Sequence, residues 1–268
     1  MANVRVAFEE FEGDKIQLPP VYQEVGCHTI FDIKMGENFR RKAIMVTGGH
    51  TTETPAALTY ASVVSRDSVR IALTIVALNN LKVFSCDIQN AYLTVKCREK
   101  ILTIPGPEFG SDAGKLMIIL RALYGLKSRG AVFRALLAET LYDIRYTLSK
   151  ADRDIWIWPA VKPYGFEYYK MILCYIDDAL SILHDAMKKM KGIQHKFKLK
   201  DDKIAEPENY LVTGLSKMVT ANGCKCWCMS PEKYCKAAVL NVEQKLNEEG
   251  KKLPTNCKTP LKNRYCPK

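Results

Sequence analysis

The sequence predicts an α+β fold in which antiparallel strands alternate with amphipathic helices. Two pairs of apolar, β-prone segments are each joined by a short turn, and other segments carry apolar residues at helical spacing. The chain has 268 residues and 47% hydrophobic content, so it can bury a core as one large domain or two small lobes. No repeat or low-complexity linker divides it, which favours one continuous unit.

The first third of the chain predicts a basic β-hairpin followed by a helix. Segments 27–34 and 40–47 flank Met35-Gly36-Glu37-Asn38, whose Gly and Asn suit a tight turn. From Arg66 to Asn79 the apolar residues recur at helical spacing, and Ser65 is placed to cap the helix N-terminus.

The middle of the chain predicts a strand, a loop and a second helix. Residues 81–88 form a short apolar strand that ends in an acid, and residues 131–142 have a helical apolar face. A loop is expected between them, because Pro and Gly residues break regular structure at Pro105, Gly106, Pro107, Gly110 and Gly114.

The sharpest local pattern is a predicted β-hairpin with two carboxylates at its tip. Residues 168–176 and 179–183 are apolar and β-prone, and Asp177-Asp178 alone separates them. Further on, Ser230-Pro231-Glu232 has the composition of a helix start, and that helix should end by Gly250.

Charge favours a polyanionic partner. Forty Lys and Arg against 29 Asp and Glu leave a formal charge of +11, which suits a surface that meets phosphate. Charge by itself equally fits a basic protein with no nucleic-acid role. Residues 1–6 lack the apolar core of a signal peptide and no apolar run nears the length of a membrane span, so we expect a cytoplasmic protein with no membrane partner.

The ten cysteines predict reduced thiols, because they lack C-x-x-C spacing and a secretory leader. Cys224, Cys226 and Cys228 would share one face of a strand. Together with Cys235 they are a weak candidate for a metal site, and apolar packing is the favoured interpretation.

The two acids at the hairpin tip predict a divalent metal site. An uncompensated carboxylate in an apolar hairpin is costly to keep charged, so it favours a cation or hydrogen-bond donors. The alternative is an ordinary Asp-Asp turn. Asp87 closes a second strand, and if that strand is adjacent, the carboxylates can hold two Mg²⁺ ions for phosphoryl transfer, with no His or Cys ligand needed.

Six short blocks together resemble the reverse transcriptase domain of copia-type LTR retrotransposon polyproteins. In chain order they are Arg41-Lys42-Ala43, Gly48-Gly49-His50, Tyr60-Ala61-Ser62-Val63-Val64, Asp87-Ile88-Gln89-Asn90-Ala91-Tyr92-Leu93, Leu123-Tyr124-Gly125-Leu126-Lys127 and Tyr175-Ile176-Asp177-Asp178. The resemblance runs from about residue 26 to residue 246, which is most of the chain.

The resemblance implies a right-hand polymerase whose palm is a small antiparallel sheet backed by helices. Residues 1–268 would be a single reverse transcriptase domain. Its fingers would be approximately 20–80, its palm 81–220 with a fingers loop at 100–130, and the start of its thumb or connection 221–268. The implied activity is RNA-directed DNA synthesis on an RNA or DNA template with a primer, using dNTPs. Other retrotransposon polyprotein parts are implied partners, in the cytoplasm or a virus-like particle.

The resemblance also implies a role for each of the acids. Asp87 and Asp177 would be the principal ligands of two Mg²⁺ ions, with Mn²⁺ as an alternative, and Asp178 would be the supporting acid. Because adjacent strand residues face opposite ways, Asp177 and Asp178 are expected to contribute unequally.

The same family implies the substrate-binding residues. Tyr92 would pack beneath the incoming sugar and disfavour a 2′-hydroxyl, although a core aromatic is its bland alternative. Gly125 would allow close backbone approach near the templating base, with Lys127 beside it or merely solvated. Arg41 and Lys42 would meet triphosphate or template, or else lie on a strand surface.

Three positions depart from the family. Ile44 replaces a common Arg that is expected to touch the triphosphate, Ser128-Arg129-Gly130 replaces Gln-Ala-Pro or Gln-Ser-Pro, and Tyr210-Leu211-Val212 ends in Val rather than Gly. A run of lysines is either a nucleic-acid track or a solvated helix face: Lys188, Lys189, Lys191, Lys196, Lys198 and Lys200. The rival hypotheses are a catalytically decayed copy that acts only as a nucleic-acid-binding module, and a two-metal nuclease.

Overall fold

The chain is described by a computed structural model that covers residues 6–13, 15–34, 40–55, 59–184, 187–200, 204–211 and 213–253. These residues form a mixed helix and sheet structure, which confirms the predicted α+β class. Their strands group into sheets of five, four, three and two strands.

The five-stranded antiparallel sheet is the centre of the molecule. Its spatial order is β5-β11-β10-β9-β8. The bounds are β5 Lys82–Asp87, β8 Thr147–Leu148, β9 Ile155–Val161, β10 Glu167–Tyr175 and β11 Asp178–Leu183.

Both faces of this sheet are covered, because alternate residues of its strands enter two different cores. Ile172 belongs to a core built with helix α2 (Arg129–Asp143) and helix α3 (Met187–Lys196). Its neighbour Leu173 belongs to a core on the other face, built with helix α1 (Arg66–Asn79). Burial on both faces explains why these strands are continuous apolar runs rather than alternating ones.

Helix α1 has the bounds and the cap that the sequence predicts. The Ser65 hydroxyl accepts a hydrogen bond from the Ser68 amide at 3.0 Å, and the helix ends at Asn80, whose φ is +48°. Val69, Leu73 and Val76 are buried. Helix α2 begins at Arg129, two residues earlier than predicted, and its cap residue Ser128 is bound through N and Oγ by the Glu99 carboxylate.

Smaller sheets surround the central one. The predicted basic hairpin is present as β3 (Cys27–Lys34) paired with β4 (Arg40–Thr47), whereas its turn lies outside the described residues. Four short strands form a second sheet, in the order β1-β7-β6-β2: β1 Phe8–Glu10, β2 Gln23–Glu24, β6 Ile101–Thr103 and β7 Met117–Ile119. The predicted loop at 105–114 contains a 3₁₀ helix, Pro107–Asp112.

The C-terminal part is a three-stranded sheet followed by a helix. It consists of β12 (Asn209–Tyr210), β13 (Thr213–Val219), β14 (Lys225–Ser230) and α4 (Glu232–Glu248). Helix α4 starts where the Ser-Pro-Glu pattern predicts, and the Ser230 hydroxyl accepts from the Glu232 amide. Among the described helices, none is both long and apolar enough to cross a lipid bilayer.

The predicted acidic hairpin forms with its turn one residue earlier. Its two-residue turn is Ile176-Asp177, and Asp178 is already the first residue of β11. The expectation that both acids lie in the turn is therefore wrong by one position, and the reason is that Ile176 adopts the left-handed conformation.

Candidate active site

Asp87 and Asp178 lie directly opposite each other on neighbouring strands. Asp87 is the last residue of β5 and its Cα partner in β11 is Asp178. The Ile88 amide donates to the Asp177 carbonyl at 2.8 Å, which holds the turn against the end of β5. A slip of one residue would move every apolar side chain of β11 to the wrong core, so the burial of this strand also fixes the two carboxylates.

The turn that presents Asp177 is strained. Ile176 has φ +55°, a left-handed conformation that costs a β-branched residue about 1–3 kcal/mol. Its side chain is 41% exposed, so burial of that side chain does not offset the cost. Strain of this kind persists where the surrounding structure over-determines it, here through the pairing of β10 with β11.

The carboxylates form a negative cluster whose charge is only partly offset by nearby cations. Burial, together with the charges of Asp177 and Asp87, raises the pKa of Asp178 to about 7. Burial likewise raises the pKa of Asp177, with an added contribution from Asp87. The ammonium of Lys200 opposes both shifts, and its Nζ lies 3.5 Å from Asp87 Oδ2.

This donor set fits a hard divalent cation in its chemistry. Carboxylate oxygens are the ligands that Mg²⁺ prefers, and raised pKa values show that the cluster favours added positive charge. Within the described part of the chain, however, no three His, Cys, Asp or Glu side chains converge closely enough to hold a metal ion. The carboxylates are neighbours without forming a closed cage, and Lys200 is the cation beside Asp87.

A cleft of about 540 Å³ connects the carboxylates with the basic hairpin. Asp87 and Asp177 line one side of the cleft, and the β4 residues at 40–45 line the other side. Tyr92 and Tyr124 line the part between these two sides. Asp178 lines a neighbouring cavity with Asp87 and Lys200 instead. The two acids of the hairpin thus line different spaces, and their unequal contribution stays a prediction.

Tyr92 is held by aromatic and cationic neighbours. It lies in a 3₁₀ helix, Ala91–Thr94, and its ring centroid is 5.1 Å from that of Tyr124 and 6.1 Å from that of Phe133, both edge to face. The Arg129 guanidinium lies over the ring at 5.5 Å. Burial raises the pKa of the Tyr92 phenol, so the hydroxyl is neutral at physiological pH.

Gly125 and Lys127 are near the cleft but do not line it. Gly125 has φ +97°, and a Cβ there would lie 1.9 Å from the Thr47 carbonyl oxygen, so the glycine allows its loop to meet the end of β4. Lys127 Nζ donates to the Thr52 carbonyl. The structure therefore places both residues where the loop at 123–127 meets the end of β4 and the segment that follows it.

Arg41 and Lys42 line the cleft on opposite faces of the hairpin. Lys42 pairs with Asp32 and Arg41 pairs with Ile33. Arg40, Lys42 and Ile44 share one face because they alternate along β4. The Arg that the family commonly has at position 44 is absent here, yet cations flank that position in the same cleft.

Comparison with known proteins identifies the family. The profile described as "Reverse transcriptase (RNA-dependent DNA polymerase)" matches residues 14–251. The chain belongs to this family. It is 24% identical over 263 residues to a "Retrovirus-related Pol polyprotein from transposon TNT 1-94" of Nicotiana tabacum, and these residues are 94% of the chain but 19% of that polyprotein. The resemblance to copia-type retrotransposon polyproteins is thereby confirmed.

A distant structural likeness was also found for this reverse transcriptase domain. A structure titled as the foamy viral protease-reverse transcriptase in complex with ds DNA covers 78% of the chain, and the chain covers 31% of it. The TM-score is 0.41 and the sequence identity is 11%.

Three residues in or beside the cleft have no individual sequence signal. Lys200 was one lysine in a run, and its position depends on a bridge between Leu199 and Ile88 that no local pattern reveals. Tyr124 was noted only within a family block. Arg129 was noted only as a departure, although a cation near a predicted gate aromatic was a usable signal.

The other candidates outside the cleft are ordinary. Cys226 and Cys228 are half-buried and Cys224 is exposed, all as free thiols. Within the described residues no group of three His, Cys, Asp or Glu side chains could hold a metal ion, and the packing role of these thiols stays a prediction. Of the lysine run, Lys188, Lys189 and Lys191 have side chains outside the described set.

Proposed function

We propose that this chain adds dNTPs to a primer 3′-end on an RNA or DNA template, as the polymerase domain of a copia-type retrotransposon polyprotein. The observation that carries the proposal is the single cleft lined by Asp87, Asp177, Tyr92 and the cations of β4. Family membership supports the reaction class, and the cleft supports this chain's own capacity to bind a triphosphate.

Asp87 and Asp177 would be the principal ligands of two Mg²⁺ ions, and Asp178 the supporting acid. Bound there, the ions would lower the pKa of the primer hydroxyl and stabilise charge on the phosphates. Asp87 ends β5, and Asp177 lies in the turn that leads into the buried strand β11, so the spacing of the two acids would cost little reorganisation during the reaction. Mn²⁺ would bind the same oxygens.

The remaining site residues would orient the nucleotide. Arg41 and Lys42 line the cleft on the side opposite the acids, where they would contact the triphosphate. Tyr92 would lie beneath the sugar and exclude a 2′-hydroxyl. Gly125 and Lys127 would act indirectly, by fixing the junction between the hairpin and the loop at 123–127.

In this proposal the sheets correspond to the parts of a right-hand polymerase. The β3–β4 hairpin and α1 would be fingers at approximately 20–80, the five-stranded sheet with α2 and α3 the palm at 81–220, and α4 the start of the thumb at 221–268. The segment at 100–130 would be a fingers loop within the palm sequence.

The second candidate is a decayed copy that binds nucleic acid without extending a primer. Two observations favour it: the acids do not converge into a three-ligand group in the described residues, and Ile44 replaces a cationic residue in the cleft. The formal charge of +11 supports nucleic-acid binding under either candidate.

Primer extension separates the two candidates. The parent, Asp177→Asn and Asp143→Asn should be compared on an RNA template and on a DNA template, with Mg²⁺ and then Mn²⁺. Asp143 is an exposed acid at the end of α2, so its variant controls for charge. We expect extension by the parent and Asp143→Asn, and none by Asp177→Asn. Salt-sensitive binding of primer–template without extension by the parent would favour the decayed copy, and extension by Asp177→Asn would refute the site.

A further inference from the structure

A second cavity adjoins the cleft at Tyr92. Its volume is about 350 Å³, and Tyr92 lines both this cavity and the nucleotide cleft. Helix α2 supplies Arg129, Gly130 and Phe133 to its wall, and Ile176 of the strained turn supplies another part. The Tyr92 ring is therefore the partition between two spaces and has room to retreat.

Arg129 is the residue that covers the face of this ring. Its guanidinium is 5.5 Å from the ring centroid, and its Nη1 donates to the Leu126 carbonyl at 2.8 Å. The bond to Leu126 anchors the guanidinium to the backbone just before α2. The cation therefore has a fixed position against the ring, which a mobile side chain would not have.

The aromatic neighbours do not replace this contact. Tyr124 and Phe133 meet Tyr92 at interplanar angles of 81° and 87°, so each makes an edge-to-face contact. Gly130, which follows Arg129, has no side chain to fill the cavity. Without the guanidinium, the ring would lose the group that covers its face and would gain space behind it.

We propose that Arg129 is a positioning residue, which holds Tyr92 toward the cleft and so sets the preference of the site for deoxynucleotides over ribonucleotides. This inference rests on the proposed function, in which Tyr92 lies beneath the incoming sugar. A ring held forward leaves no room for a 2′-hydroxyl, whereas a ring free to retreat would admit one. Arg129 acts through Tyr92 and touches neither substrate.

The test measures kcat/KM for dNTP and for rNTP in primer extension, and the ratio of the two is the readout. We expect Arg129→Ala to lower the ratio about 3- to 30-fold, chiefly through better use of rNTP, which corresponds to the strength of a half-buried cation–π contact. Arg129→Lys keeps the charge without the planar fork, so it should restore part of the ratio. Circular dichroism melting checks that each variant folds. If Arg129→Ala does not fold, Arg129→Lys against the parent serves as the measurement.

Arg121→Ala is the matched control. Arg121 is also half-buried, and its Nη1 donates to the Thr94 carbonyl of the same 3₁₀ helix without covering the Tyr92 ring. The ratio for this variant should stay within about twofold of the parent's, because Arg121 makes no contact with the face of the Tyr92 ring. An equal loss in both arginine variants would mean general loosening of the turn and would overturn the proposal.

A double-mutant cycle separates positioning from a structural effect. If Arg129 acts through the ring, Arg129→Ala should leave the ratio unchanged in a Tyr92→Ala background. An additive effect would refute the inference. A ratio that Tyr92→Ala does not alter would refute the role of Tyr92 as a gate, and with it this inference, whereas the measured extension would leave the proposed polymerase activity standing. A ratio sensitive to Tyr92→Ala but not to Arg129→Ala would refute the inference alone. Absence of extension by the parent would already contradict the proposed function.

Discussion

The β10–β11 hairpin and the β3–β4 hairpin both line the cleft beside the carboxylates, yet they are built in opposite ways. The β10–β11 hairpin lies between β5 and β9 in the central sheet, and Leu173, Leu180 and Ile182 are wholly buried. The β3–β4 hairpin is a sheet of its own, and Phe31 on it is 81% exposed. One hairpin is fixed by packing on both faces, and the other is held mainly at its base.

The difference separates two tasks. In the proposed function the acids and the β4 cations have different requirements. The acids would need fixed spacing, because stabilisation of a phosphoryl transition state depends on groups that do not reorganise. The cations of β4 need only approach a triphosphate, and they are attached where Thr47 donates to the Tyr124 carbonyl at 2.8 Å. Changes in the first hairpin should therefore alter catalysis, and changes in the second should alter nucleotide affinity.

The largest expected effect is the loss of activity on replacing Asp87, which ends β5, the strand paired with the β10–β11 hairpin. Asp87→Asn should lower kcat about 10³-fold or more while KM for dNTP changes little, because the loss falls on transition-state stabilisation. Arg41→Ala is the matched change on the basic hairpin, and it should mainly raise KM. Steady-state primer extension measures both. A pure KM effect for Asp87→Asn would break the division of tasks.

The next effect concerns the junction between the two regions. Gly125→Ala should destabilise the domain by about 2–4 kcal/mol, because the new Cβ meets the Thr47 carbonyl and φ is +97°. Gly165→Ala controls for backbone strain alone: φ there is +87° and nothing lies within 4 Å of the new Cβ. That control should cost about 1 kcal/mol. Equal costs in urea denaturation would show that the close contact is unimportant.

A third prediction uses the raised pKa of Asp178. Both folded and unfolded states bind the proton below pH 3.8, and neither does above about 7, so the folded state loses stability as pH rises between these values. In EDTA at pH 8, the free energy of unfolding of Asp178→Asn should exceed that of the parent by about 1–2 kcal/mol, a figure already reduced for solvent screening. That corresponds to about 2–6 °C of Tm. At pH 3.5 the variant and the parent should have the same Tm.

Asp152→Asn is the control for that experiment, because its expected change in stability has the opposite sign. Burial tends to raise the pKa of Asp152, but hydrogen bonds from Ser68 and backbone amides outweigh it and lower the pKa. This variant should be less stable than the parent at pH 8, with the difference shrinking in acid. If Asp178→Asn instead lowered Tm at pH 8, the carboxylate cluster would be compensated in a way that the fixed hairpin does not show.

The smallest expected effect is a gain at the basic hairpin. Ile44→Arg should lower KM for dNTP about 3- to 10-fold, because it adds a charge-assisted contact in the cleft beside Lys42. Ile30→Arg adds the same charge at the residue paired with Ile44, which is not among those lining the cleft. A similar gain in both variants would indicate long-range attraction rather than a contact in the cleft.

The sequence predicted the elements better than their contacts. The bounds of α1 and of both strands of the basic hairpin agree with the structure, because apolar spacing and caps are local. The acidic turn was misplaced by one residue, since nothing in the sequence indicates that a β-branched Ile176 takes a left-handed conformation. Packing of β10 against both of its neighbours imposes that conformation.

The residues of the candidate site likewise fall into those that local sequence predicts and those that only remote contacts reveal. Asp87, Asp177, Asp178 and Tyr92 were identified from short blocks of residues, because each block has its own composition. Lys200 and Arg129 act through partners more than thirty residues away along the chain, and their partnerships exist only after β5, α2 and the segment before residue 200 come together.

By itself, the sequence determined which residues can carry negative charge, stack or bend, and which segments become strands or helices, because these properties depend on near neighbours. Tertiary structure decided which face of the acidic hairpin lines the cleft, which cation pairs with which carboxylate, and how large the cavity beside Tyr92 is. Those quantities are distances between remote segments, and only the packing of both faces of the central sheet fixes them.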